Sequence, residues 1–201
     1  STPAKFQAAG FCVLVWVAWL LLQSVDVYVR SLGTRFFAPR NPIAFERALF
    51  RGVPSGWMAD HIQTQTLSDL ALAMHVVWYV LPFAFPLALS VYARHRLLDF
   101  FIGTLVATFS ADLCYILLPV QPPWMVGYSR VLDEVVPNFR YVSADTNTVA
   151  AFPSLHAGLP LLYGIFLWSR VPHAKPMAWS CAAIAGVIGF AVVYLGEHWV
   201  T

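Results

Sequence analysis

The sequence predicts an all-α integral membrane protein: a polytopic helix bundle of five visible spans with one short interfacial helix. Three observations predict it. Only 11% of the 201 residues are charged, where a soluble domain carries about 25%. Mean hydropathy is +0.67. The apolar residues also gather into stretches near the roughly 20 residues that a helix needs to cross a bilayer core. The same numbers exclude other classes. A net charge of +2 is too small to argue for a nucleic-acid partner, and no basic run or Gly-rich phosphate loop appears. Cys12, Cys114 and Cys181 follow no metal-ligand spacing and read as apolar filler. No metal and no cofactor follow from the residues.

The first span is expected over 6–29, with Trp16, Trp19 and Tyr28 as lipid-facing or interfacial anchors. The segment 30–65 is different. It holds Arg30, Arg35, Arg40, Arg47 and Arg51 and one short helical pattern. Asn41 suits the cap, Pro42 the first helical position and Gly52 the stop. Phe45, Leu49 and Phe50 share a face, so the helix reads as lying in the interface, either as a rim over the site or as a structural collar. The second span is expected over 66–92. Pro82 and Pro86 predict a kink or break in it, and His75 is an ionisable group inside it. The third, 97–118, carries Asp112, which must face protein or water because lipid would make its burial expensive. A polar connection, 119–153, includes Arg130 and Arg140. The fourth span is expected over 154–171 and the fifth over 177–196.

Alternating spans place 30–65, 119–153 and 196–201 on one face of the membrane. Lys and Arg number seven on that face and five on the other. The five lie in very short turns, where the positive-inside bias acts most strongly. The short turns are therefore expected in the cytoplasm and the long segments outside.

The candidate chemistry sits at 152–158. Pro153 suits the first position of a helix. Ser154 and His156 would then lie in its first turn, where backbone N–H groups and the dipole favour a phosphate. The plain alternative is that Ser154 caps the helix and His156 is a polar residue at the membrane edge. The topology brings His198, just past the fifth span, to the same face. Two imidazoles there can transfer a phosphoryl group without a metal, one attacking phosphorus and one protonating the leaving oxygen.

Phe152-Pro153-Ser154-Leu155-His156 resembles the second signature, PSxH, of the type 2 phosphatidic acid phosphatase superfamily. Tyr194-Leu195-Gly196-Glu197-His198 resembles its third, SRxxxGxHxxxD. The run Tyr115 to Trp124 is similar to the first-signature region of the branch with inositol phosphorylceramide synthase and many actinobacterial envelope proteins. The resemblance covers essentially the whole chain. It implies one membrane domain over 1–201, with six spans in the full-length protein, so the chain is expected to stop before the last. It implies His198 as the nucleophile, His156 as the general acid, and Ser154 with nearby N–H groups as phosphate holders. It also implies no metal, an active site on the outer face of a bacterial plasma membrane, and a phospholipid or lipid-linked phosphate as substrate. Inositol or a sugar is the candidate alcohol acceptor.

Three cations of the signatures are absent. Gln121 stands where the first signature has arginine, Cys114 where it has lysine, and Ala191-Val192 where the third has Ser-Arg. Transition-state charge must still be met. Arg130, Arg140 and the arginines of 30–51 are the candidates, with Gln121 as a neutral phosphate contact. The orienting aspartate of the third signature would fall one residue past Thr201. Two functions from different classes follow: a lipid phosphatase or phosphotransferase, and a non-catalytic lipid-binding or scaffold member of the same fold. A transporter is the weaker third, since no inverted repeat of broken spans is visible.

Overall fold

The computed structural model describes residues 32–136 and 149–200, together with Gly10, Val13, Leu14, Val17, Leu21, Val25, Tyr28 and Val29. Those eight positions are all helical, and the rest of the first expected span lies outside the described residues. The named helices, in chain order, are α1 (Ile43–Phe50), α2 (Pro54–His61), α3 (Gln65–Tyr92), α4 (Leu97–Leu117), α5 (Val131–Val135), α6 (Leu155–Arg170) and α7 (Lys175–Tyr194). Short 3₁₀ turns occupy Arg94–Arg96, Pro123–Val126 and Pro172–Ala174. Among the described residues the only β pairing is two isolated bridges, Arg40 to Val120 and Val120 to Ala150.

Three helices are long and apolar enough to cross a membrane: Gln65–Tyr92, Arg94–Leu117 and Pro172–Tyr194. They correspond to the second, third and fifth expected spans. The fourth is corrected in length. With 16 residues, α6 falls short of the roughly 20 that a crossing takes. The break expected at Pro82 and Pro86 does not occur, and α3 runs on through both. Each proline removes one backbone bond, but both are buried, and packed neighbours can hold such a helix.

The 30–65 segment holds two helices rather than one. In α1, Pro42 is the cap position and makes no side-chain cap bond, so the expected Asn41 cap is displaced by one. Arg51, at φ 61°, takes the left-handed stop expected of Gly52. Phe45 and Leu49 are exposed, while Glu46, about 100° round the helix from Phe45, is 1% exposed. Its Oε1 accepts the Val200 N–H at 2.6 Å. That bond ties α1 to the chain just beyond His198.

The core of the bundle is aromatic. Phe85 from α3, Phe100 from α4 and Tyr163 from α6 meet with ring centroids 4.6–5.0 Å apart. α6 and α7 are antiparallel and pack most extensively. Gly164 allows this: a Cβ there would lie 2.9 Å from the Ala178 carbonyl oxygen. The antiparallel pair sets the start of α6 beside the end of α7.

Candidate active site

Three fixings shape the loop that enters α6. Its backbone joins the 118–121 segment, with Val120 N–H on the Val149 carbonyl at 2.9 Å and Ala151 N–H on the Val120 carbonyl at 3.1 Å. The Tyr115 hydroxyl donates to the Pro153 carbonyl at 2.8 Å. The Trp78 indole N–H donates to the Leu155 carbonyl at 3.0 Å. The helix then begins at Leu155, not at Pro153 as expected, and Ser154 is its N-cap residue. Ser154 makes no side-chain cap bond. Its Oγ is buried with no hydrogen-bond partner among the described residues. The plain capping role is thereby corrected: the hydroxyl is in place but unused by the helix.

The end of α7 is built by backbone alone. Gly196, at φ 83°, follows the helix end, and Glu197 and His198 both return their N–H groups to the Val192 carbonyl. Only glycine fits, because a Cβ at 196 would meet the Ser129 carbonyl oxygen at 2.8 Å in a backbone region that other residues rarely adopt. This close approach seats α5 on the end of α7. It also sets Arg130 against Glu197, with Nε to Oε1 at 2.5 Å. Arg130 also bonds Asp133 at 3.2 Å and lies 4.5 Å from the Trp124 ring centre.

These two ends bring the histidines together. His156 Nδ1 and His198 Nε2 are 3.0 Å apart. His198 Nδ1 lies 3.1 Å from the Ala151 carbonyl oxygen. A carbonyl only accepts, so Nδ1 carries the hydrogen, and the neutral ring presents a lone pair at Nε2. His156 must then donate from Nδ1. His198 is 6% exposed, and burial holds its imidazole down to about 4, with the Ala151 hydrogen bond opposing. It is therefore neutral near pH 7, as a nucleophile has to be.

His156 is walled by aromatic rings from α3. Trp78 lies 4.3 Å away, tilted 39°, and His75 lies edge-on at 5.0 Å. Pro160 also removes the donor that the helix would have given the His156 carbonyl.

The other expected site residues fall as follows. Gln121 contributes its backbone: its carbonyl accepts the Trp199 indole N–H at 2.6 Å, and its N–H bonds the Arg40 carbonyl at 2.9 Å. Arg130 is at the right end of the bundle, but the bonds above tie it to two carboxylates. Arg140 lies outside the described residues. Sequence reasoning missed Trp78 and the Ala151 carbonyl, and it gave Glu197 no role. His75 was visible only as an ionisable residue inside a span. Among the described residues, no group of three or more His, Cys, Asp or Glu is placed to hold a metal.

A cavity of about 690 Å³ opens on His198 and is lined by it, by Ser154 and by apolar residues of α6 and α7 among others. No curated protein matches this chain, and no solved structure does. Residues 43–201 match the PAP2 superfamily. That span holds α1 to α7, the serine and both histidines, and the chain therefore belongs to the PAP2 superfamily.

Proposed function

We propose that this chain is a membrane-embedded lipid phosphatase or phosphotransferase that works through a phosphohistidine at His198. The His156–His198 bond of 3.0 Å is the observation that carries the reading. A substrate phosphate has to enter between the two rings. His198 Nε2 then attacks phosphorus as the ester P–O bond breaks, and His156 gives its proton to the departing alkoxide. In the second step water, or an alcohol such as inositol or a sugar, attacks the phosphohistidine. His156 takes back the proton and the P–N bond breaks. Ser154 Oγ is a donor for a phosphate oxygen, supported by its burial without a protein partner. The charge on the phosphate falls to Arg130, Arg140 or an arginine of 30–51, with Gln121 as a neutral contact.

The finer assignments rest on the signatures. The weak first signature favours the inositol phosphorylceramide synthase-like, actinobacterial branch. The chain is read as one membrane domain over 1–201, with the site on the outer face of a plasma membrane. The test is to incubate the full-length protein with a phosphate-labelled phospholipid, with and without inositol. An acid-labile protein label is expected, absent in His198→Ala, and water or inositol is identified as acceptor by the product. A second reading, a non-catalytic lipid-binding scaffold, is favoured by the commitment of Arg130 to Glu197 and Asp133. Lipid binding without label or turnover would establish it instead.

A further inference from the structure

We infer that Glu46 is a positioning residue for the nucleophile: its carboxylate, carried on α1, fixes the segment 198–200 and through it the His198 ring. The inference rests on the phosphoryl-transfer reading above and adds a residue to it. Glu46 is 155 positions from the residue before Thr201 only in sequence; in space its Oε1 accepts the Val200 N–H at 2.6 Å. Two residues of chain span at most about 7 Å, so a shift at Val200 is felt at His198.

The chain on that side of His198 has few other holds. The Trp199 indole N–H donates to the Gln121 carbonyl at 2.6 Å. Gln121 in turn bonds the Arg40 carbonyl through its own N–H at 2.9 Å, three residues before α1 begins. Ile43, one turn before Glu46 and on the same face of α1, packs on the apolar cluster of Val53, Val120, Ala151 and Trp199. Ala151 is the residue whose carbonyl faces His198 Nδ1. The helix thus meets both sides of the nucleophile: Ile43 at the cluster that holds its ring acceptor, and Glu46 at the chain that follows it.

The residue type argues against a purely seating role. Six of the eight α1 residues are exposed, Ile43 is half-buried, and Glu46 alone is buried. If that place served only to seat the helix, an apolar side chain would fill it without desolvating a carboxylate. Such burial costs several kcal/mol before its hydrogen bonds offset it, and apolar replacements of buried ionic groups are often neutral or stabilising. A carboxylate does what leucine cannot: it accepts a backbone N–H in a fixed direction, through a charge-assisted bond stronger than a neutral one.

The test uses the full-length protein in detergent with an alkyl and an aryl phosphate, and rates are taken per folded molecule from thermal unfolding. Glu46→Ala should lower kcat by about 10–100-fold with KM within about twofold, as misplacement of a reacting group does. Both esters should lose equally, because the defect lies at the nucleophile and not at the leaving-group acid. Glu46→Gln keeps an oxygen at the same reach and should stay within about fivefold of the parent, while Glu46→Asp, one methylene short, should fall below Gln. Ile43→Ala should lower the melting temperature and leave kcat within about twofold. Unchanged kcat in Glu46→Ala, recovery on the aryl ester, Asp equal to or above Gln, or an equal kcat loss in Ile43→Ala would each overturn the proposal. If Glu46→Ala does not fold, the order of Gln and Asp decides. If the parent turns over no ester, the phosphoryl-transfer reading fails separately, and Glu46 is judged by nitrogen NMR of the labelled imidazoles, with His198 assigned through His198→Ala. The Nδ1–H form of His198 should give way to a mixture in Glu46→Ala and persist in Glu46→Gln; an unchanged His198 signal in Glu46→Ala would overturn it.

Discussion

His156 and His198 touch, yet they are held by opposite means. His156 stands in the first turn of a helix, and side chains from another helix, Trp78 and His75, form its wall. His198 stands past the end of a helix, and backbone groups hold it: the Val192 carbonyl on its N–H, the Ala151 carbonyl on its ring, and the Gly196 turn before it. Deep burial favours a neutral ring, and the carbonyl acceptor, though it opposes that shift, fixes the hydrogen on Nδ1 and the lone pair on Nε2. The two surroundings thus differ in kind, one built of aromatic side chains and one of backbone, around two identical side chains.

The sharpest break in this contrast is His198→Ala. Without a nucleophile, turnover of every ester should fall by at least about 10³-fold, and no phosphoprotein should be trapped. His156→Ala should cost about 10²–10⁴-fold on alkyl phosphates. An aryl phosphate with a good leaving group should recover much of that loss in His156→Ala and none in His198→Ala. Equal rescue of both would show that the roles are wrongly assigned.

Gly196→Ala tests the backbone side. The residue is forced to φ 83° against the Ser129 carbonyl, so stability should fall by about 1–3 kcal/mol, read by thermal or denaturant unfolding. Trp78→Leu tests the aromatic side. It removes the bond to Leu155 and the indole face, and kcat on alkyl phosphates should drop by about tenfold, with aryl phosphates less affected. Trp78→Phe keeps a ring face and should lose less.

The smallest effect is in pH. His198 titrates near 4 when folded, below its ordinary value of 6.5. Its contribution to stability is complete above about 6.5 and is lost as pH falls from there toward 4, on the order of 3 kcal/mol in all. The acid limb of kcat/KM should likewise lie near pH 4. A limb near 6.5 would mean that the nucleophile is not held in the buried neutral state.

Much of this site was legible beforehand, and for a simple reason. His156 and His198 are placed by helix alternation, which hydropathy reports, and Ser154 and Gly196 lie within two residues of them. What the sequence hid comes from tertiary approach. Trp78 is 77 residues from the Leu155 carbonyl that it binds, and nothing in its own span marks it from other apolar residues. Ala151 acts through a carbonyl that any residue carries. Arg130 was read as a free cation because its partner Glu197 was 67 residues away. The short α6 was overcounted because apolar residues outside the helix, such as Val171, extend the hydropathy signal without extending the helix.

The direct bond between the two imidazoles also decides how the empty protein treats stray electrophiles. The reactive lone pair at His198 Nε2 is already occupied by the His156 proton. A reagent that reaches the pair meets the His198 lone pair already engaged. A group that offers oxygen acceptors to one ring and an electron-poor centre to the other can prise the rings apart. A phosphate ester does both at once. The nucleophile's lone pair is in this way held by its partner until a substrate separates the rings.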